Sequence, residues 1–105
     1  MVRNLISIDK NKQSIVNSLC RLAERTPVVK KVIVFGSAAN RTCTADSDID
    51  ICYDVECDTK DIRIFNLSKE TNRICDYNCD IIYYKLAGTN LRNEINNKGV
   101  VVYES

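Results

Sequence analysis

In the run "TADSDIDICYD", aspartates stand at positions 46, 48 and 50, where the chain otherwise reads as the start of a buried strand. Side chains two apart on a strand share a face, with Cα atoms roughly 6.5–7 Å apart, so Asp48 and Asp50 are expected to project together while Ile49 and Ile51 turn to the core. Adjacent carboxylates repel, and a cation between them removes the repulsion. Hard oxygen ligands of this kind select magnesium or manganese over zinc. Taken alone, Asp-x-Asp reads more commonly as an acidic turn, Asp46-Ser47-Asp48, with Asp50 facing water at an edge.

Two further features bear on the choice. Gly36-Ser37 follows the apolar run "KKVIVF" and precedes a small-residue stretch able to begin a helix. Glycine lets backbone approach an anion closely, a helix start offers free N–H groups, and the serine hydroxyl adds a donor, an arrangement that can cradle phosphates. The bland reading of the pair is an ordinary strand-ending turn. Asp80 opens the β-branched run "CDIIYY", and if that strand lies beside the one carrying Asp50, it completes a three-carboxylate cluster able to hold two ions. Otherwise it is a boundary residue facing solvent.

Other chemistries fall away. The chain has no histidine, which removes Ser-His-Asp and Cys-His catalysis and the usual catalytic zinc sets. Neither a Gly-Lys-Ser/Thr phosphate loop nor Gly-x-Gly-x-x-Gly occurs. Phosphoryl or nucleotidyl transfer assisted by metal remains, because it depends on positioning and charge neutralisation more than on a side-chain nucleophile.

The elements that must position these residues follow from spacing. Ile15, Val16, Leu19, Leu22 and Ala23 predict an amphipathic helix from about 10 to 25, stopped near Pro27. Strands are expected over 30–35, 49–53, 79–84 and 100–103. A second helix, from about 59 to 74, shows its apolar spacing through Ile62, Phe65 and Ile74, with Ile64 and Leu67 blurring the face. A third, from about 90 to 98, carries Leu91 and Ile95 and ends at Gly99, which suits a C-terminal cap. The order describes an α/β domain, a small mixed sheet flanked by helices, occupying 1–105 as one unit.

Composition narrows the class. Apolar residues make up 45% and charged residues 28%, a globular balance without an apolar run long enough for a bilayer. The polar N-terminus lacks a signal-peptide core, so the expected location is cytoplasmic. In that setting the six cysteines read as free, mostly buried thiols rather than bridges or zinc ligands. The net charge of +1 hides an acidic block over 46–61 and a basic N-terminal third, and argues against a dedicated nucleic-acid binder.

Taken together, "VIVFGSAANRTCTADSDIDICYD", with ten residues between Ser37 and Asp48 and with Asp80 thirty beyond Asp50, resembles the minimal nucleotidyltransferases of the DNA polymerase β superfamily. The tail "LRNEINNKGVVVYES" resembles the helix and strand that end that family. The resemblance implies a palm-like nucleotidyltransferase fold in which Gly36 and Ser37 hold a triphosphate, with Arg41 and Ser47 as further nucleotide contacts. It implies that Asp48, Asp50 and Asp80 bind two Mg2+ ions, or Mn2+, and that Asp80 helps deprotonate the attacking hydroxyl. The implied reaction moves a nucleoside monophosphate, AMP from ATP, to a hydroxyl and releases pyrophosphate. Many relatives follow Gly-Ser with a segment ending Arg-Gly, whereas this chain has Asn40-Arg41.

Relatives of this size often pair with a helical HEPN protein in toxin–antitoxin modules, in some cases adding AMP to a tyrosine of the toxin. The expected partners are thus a nucleoside triphosphate and a HEPN-type protein or a second copy of the chain, with no membrane. Two other readings stay open: a module that neutralises a partner by occlusion, and the catalytic domain of an antibiotic nucleotidyltransferase.

Overall fold

The computed structural model describes residues 8–40 and 47–105. Helix α1 (Gln13–Glu24) buries Val16, Leu19, Cys20, Leu22 and Ala23 along one stripe. Its end is closed by the Thr26 hydroxyl, which donates to the Leu22 carbonyl at 2.8 Å, just before Pro27 forbids continuation. Strand β1 (Val29–Phe35) follows, then a single short turn of helix, α2 (Ser37–Asn40). The Asp9 amide donates to the Ala38 carbonyl at 2.9 Å and straps the segment before α1 onto α2.

Strand β2 (Ile49–Val55) leads to α3 (Ile62–Ile74), β3 (Cys79–Tyr83), a 3-10 turn over Tyr84–Leu86, α4 (Thr89–Lys98) and β4 (Val100–Glu104). The sheet order is β3-β2-β1-β4. Strand β1 runs antiparallel to both β2 and β4, while β2 and β3 are parallel, which requires the crossover that α3 supplies. The mixed sheet is the one expected from sequence.

Alternation along the strands splits the interior in two. Val32, Val34, Ile49, Ile51 and Tyr53 point into the larger cluster, with α1 and α3. Ile33, Phe35 and Cys52 point the other way and are covered by Ile95 of α4. Among the described residues no helix is long and apolar enough to cross a membrane. Cys20, Cys52 and Cys75 are buried, Cys57 and Cys79 half-buried, and all five are free thiols; Cys43 lies outside the described residues.

Helix α3 departs from expectation. It buries Ile64, Leu67 and Thr71, whereas Ile62 and Phe65 are 68% and 64% exposed. A polar bond decides the rotation: the fully buried Tyr53 hydroxyl lies 2.7 Å from Thr71 Oγ1, which also donates to the Leu67 carbonyl at 2.7 Å. With a hydroxyl satisfied in this way, threonine can occupy the core position that periodicity assigned to bulkier residues. Gly99 ends α4 as expected, its amide donating to the Ile95 carbonyl at 2.9 Å. Its backbone is extended (φ −75°, ψ 155°), so no left-handed cap forms there. A Cβ at Gly99 would instead collide with the Ile95 carbonyl and with Ile33 Cγ2, so the glycine serves the close approach of α4 to the sheet.

The left-handed cap is found on α3. The Tyr77 amide donates to the Asn72 carbonyl at 2.8 Å and the Asp76 amide to the Arg73 carbonyl at 3.2 Å, the paired bonds of a Schellman motif. Asp76 (φ 51°) and Tyr77 (φ 63°) hold positive φ without being glycine.

Candidate functional site

The C-terminal end of β1 and the N-terminal ends of β2 and β3 meet at one end of the sheet. There Asp50 is paired with Phe35 on one side and with Asp80 on the other. In-register neighbours share a face, so Asp50 and Asp80 stand side by side on the face that α4 covers. Asp50 is half-buried and Asp80 exposed. Asp48 lies just before β2, exposed, and near enough for its charge to act on Asp50.

Gly36 is the residue that lets this pair form. It follows Phe35 with φ +70°, a conformation that side chains other than glycine's rarely adopt. Its missing Cβ would overlap Asp50 Oδ2, with Asp50 Cγ at 3.2 Å. The Asp50 carboxyl therefore rests directly against the turn between β1 and α2, and the Gly-Ser and Asp-x-Asp motifs become one site.

The electrostatics are those of crowded acids. Burial pushes the Asp50 carboxyl up from 3.8 to about 6, helped by the charge of Asp80, a hydrogen bond with the Asp80 carboxyl, and the charges of Asp48 and Glu94. Like charges held this close repel, and a proton on Asp50 or a cation beside the pair relieves the repulsion. Glu94, on α4, went unmarked in the sequence; only the docking of α4 through Leu91 and Ile95 brings its charge to the site. Among the described residues, the charges acting on Asp50 are those of Asp80, Asp48 and Glu94.

Among the described residues no group of three acidic, cysteine or histidine side chains converges into a ready-made metal site. What the structure brings together is the Asp50–Asp80 pair, with Asp48 and Glu94 adding negative charge. All four are hard oxygen donors, and a divalent cation among them would relieve their repulsion, so the donor set fits magnesium or manganese. Ser47 is half-buried immediately before Asp48, and Ser37 opens α2. Arg41 and Asp46 lie outside the described residues.

The model of the family described as polymerase beta, nucleotidyltransferase matches residues 17–105. The chain belongs to the polymerase beta nucleotidyltransferase family. Its fold is also that of several solved structures. A chain of a toxin–antitoxin complex with AMP-PNP superposes with a TM-score of 0.68 at 22% identity, over 88% of this chain and 73% of that one. A complex of the tri-AMPylated Shewanella oneidensis HEPN toxin with MNT antitoxin gives 0.62 at 22% identity, over 90% and 71%. A Sulfolobus solfataricus structure described as a nucleotidyltransferase gives 0.52 at 23%, over 95% and 83%. No curated protein sequence matches the chain. The strand-borne acids and the glycine turn lie within the residues that the family model matches.

Proposed function

We propose that this chain is a metal-dependent nucleotidyltransferase that moves AMP from ATP to a hydroxyl of a protein, a tyrosine of a helical HEPN-type partner. The observation that carries the reading is the Asp50–Asp80 pair held against Gly36, at the end of a sheet belonging to this family. The toxin–antitoxin neighbours, one with AMP-PNP and one with a tri-AMPylated toxin, support the choice of nucleotide and acceptor.

In this reading Gly36 and Ser37 bring backbone close to the triphosphate, while Arg41 and Ser47 contact the nucleotide. Asp48, Asp50 and Asp80 would hold the magnesium ions, which supply charge neutralisation at the phosphates and the departing pyrophosphate. Asp80, the more exposed member of the pair, would take the proton of the acceptor hydroxyl as its oxygen attacks the α-phosphorus. The bond from the α-phosphorus to the bridging oxygen breaks, and its electrons leave with pyrophosphate.

The test is intact-mass analysis of a co-expressed helical partner after incubation with ATP and magnesium. An added AMP that disappears with Asp48→Asn and with Asp80→Asn is expected; no added mass, or equal addition by the variants, would overturn the proposal. One observation favours a second reading, neutralisation by occlusion: no three described carboxylates are gathered in advance. That reading requires the Asp48→Asn, Asp50→Asn double variant to neutralise the partner in cells as the parent does.

A further inference from the structure

Away from the carboxylates, α1 and α3 leave a groove of about 260 Å³ between them. Leu22 and Leu67 form its apolar floor, with Thr26 and Pro27 at one end. A cavity of about 150 Å³ already accommodates benzene, so the space is sufficient for one aliphatic side chain. Its charged rim is mostly satisfied from within. Arg63 donates to both oxygens of Asp61, at 3.0 and 2.7 Å, and Glu70 accepts from Arg73 at 2.8 Å. The exception is Arg25, exposed on the α1 wall, whose guanidinium meets no acid among the described residues.

We propose that this groove docks a protein segment presenting an aliphatic side chain beside a carboxylate. The side chain replaces water over Leu22 and Leu67, and the carboxylate pairs with Arg25. Charge complementarity selects this occupant: one unmatched guanidinium stands at the edge of an apolar slot whose other charges are already paired. A nucleic-acid strand fits less well, because the lining contains no aromatic ring for stacking and the chain's net charge is only +1. Ile62, which is 68% exposed and four residues before Asn66 on the same side of α3, extends the apolar surface beyond the groove.

The location gives the site its significance. Arg25 and Pro27 precede β1, whose first residue pairs with Val55, whereas Asp50 pairs with Phe35 at the other end of that seven-residue strand. The two ends are roughly 20 Å apart. A segment seated in the groove leaves the carboxylates open, so docking and chemistry are separable, and this inference stands whether or not the site transfers AMP.

The experiment is amide-shift mapping of the isotope-labelled chain with two probes, N-acetyl-leucine and its uncharged amide N-acetyl-leucinamide, and with a single-stranded oligonucleotide. Shifts centred on Leu22, Arg25, Thr26 and Asn66 are expected with both small probes. The acid should bind roughly two- to fivefold more tightly than the amide, the range of an exposed ion pair. Arg25→Ala should abolish that preference, so that the acid and the amide bind equally. Absence of binding, shifts centred elsewhere, equal affinity for acid and amide, or stronger binding of the oligonucleotide at these residues would overturn the proposal.

Discussion

Replacing Asp50 by asparagine should make the cation-free protein more stable at neutral pH, although it removes a residue assigned to the chemistry. The folded state raises this carboxyl from 3.8 to about 6, first by burial and then through Asp80, Asp48 and Glu94. A raised native pKa means that the folded chain holds the proton more tightly than the unfolded one. The resulting stability is fully present below 3.8 and is lost as pH rises through about 6. At about 1.36 kcal/mol per pH unit, the interval from 3.8 to about 6 sets a ceiling of about 3 kcal/mol. Asp50 is only half-buried, and solvent screening reduces the figure to about 1–2 kcal/mol. Asparagine carries no charge and its amide can still donate to Asp80, so the variant should recover that amount, roughly 4–16 °C in melting temperature. The assay is thermal and urea unfolding of both proteins in EDTA from about pH 5 to 7.5. The gap should widen as pH rises through 6, and magnesium should narrow it at neutral pH by stabilising only the parent. A variant no more stable than the parent at about pH 7.5, or a gap independent of pH, would refute the reasoning.

Gly36→Ala should lower stability by about 1–3 kcal/mol and abolish any melting shift produced by ATP with magnesium, because φ is +70° there and the Cβ strikes the Asp50 carboxyl; Gly88→Ala, with open space around it, is the matched control. Asp76→Gly should raise the melting temperature, by about 0.5–1 kcal/mol in free energy, since glycine takes the left-handed position of the Schellman motif without the Cβ penalty. Tyr53→Phe should cost about 1 kcal/mol by urea unfolding, and not more, because Thr71 keeps its bond to the Leu67 carbonyl.

Elements with strong periodicity were legible in the sequence. The expected helix over 10–25 is α1 (Gln13–Glu24), and the expected strand over 49–53 is β2 (Ile49–Val55). Local signals fixed these because β-branched runs and a clean apolar stripe leave little choice. Helix α3 was read from the wrong side because Thr71 does not look like a core residue until Tyr53 is placed opposite it. The cap at Asp76 and Tyr77 was invisible for a similar reason: the turn is held by tertiary surroundings, with the Ile49 amide donating to the Asn78 carbonyl at 3.2 Å, and not by glycine. In the site, Gly36, Asp50 and Asp80 were legible as residue types, but their contact depended on strand order, which spacing does not encode. Glu94 had no local signal, since its position depends on where α4 docks.

Strand register is what makes the site more than a set of acids. In β3, Ile81 and Tyr83 turn toward the α1 and α3 side, where Tyr83 meets Tyr53 with ring centroids 6.0 Å apart. Asp80 and Ile82 turn to the α4 side, beside Asp50 and Cys52. A slip by one residue would bury Asp80 and expose Ile81 and Tyr83, so packing in the larger core enforces the register that sets the two carboxyls together. The same packing prevents Asp50 and Asp80 from separating to relieve their repulsion. Their crowding is therefore imposed by the apolar residues between and behind them, and a proton or a cation is the means of relief that remains.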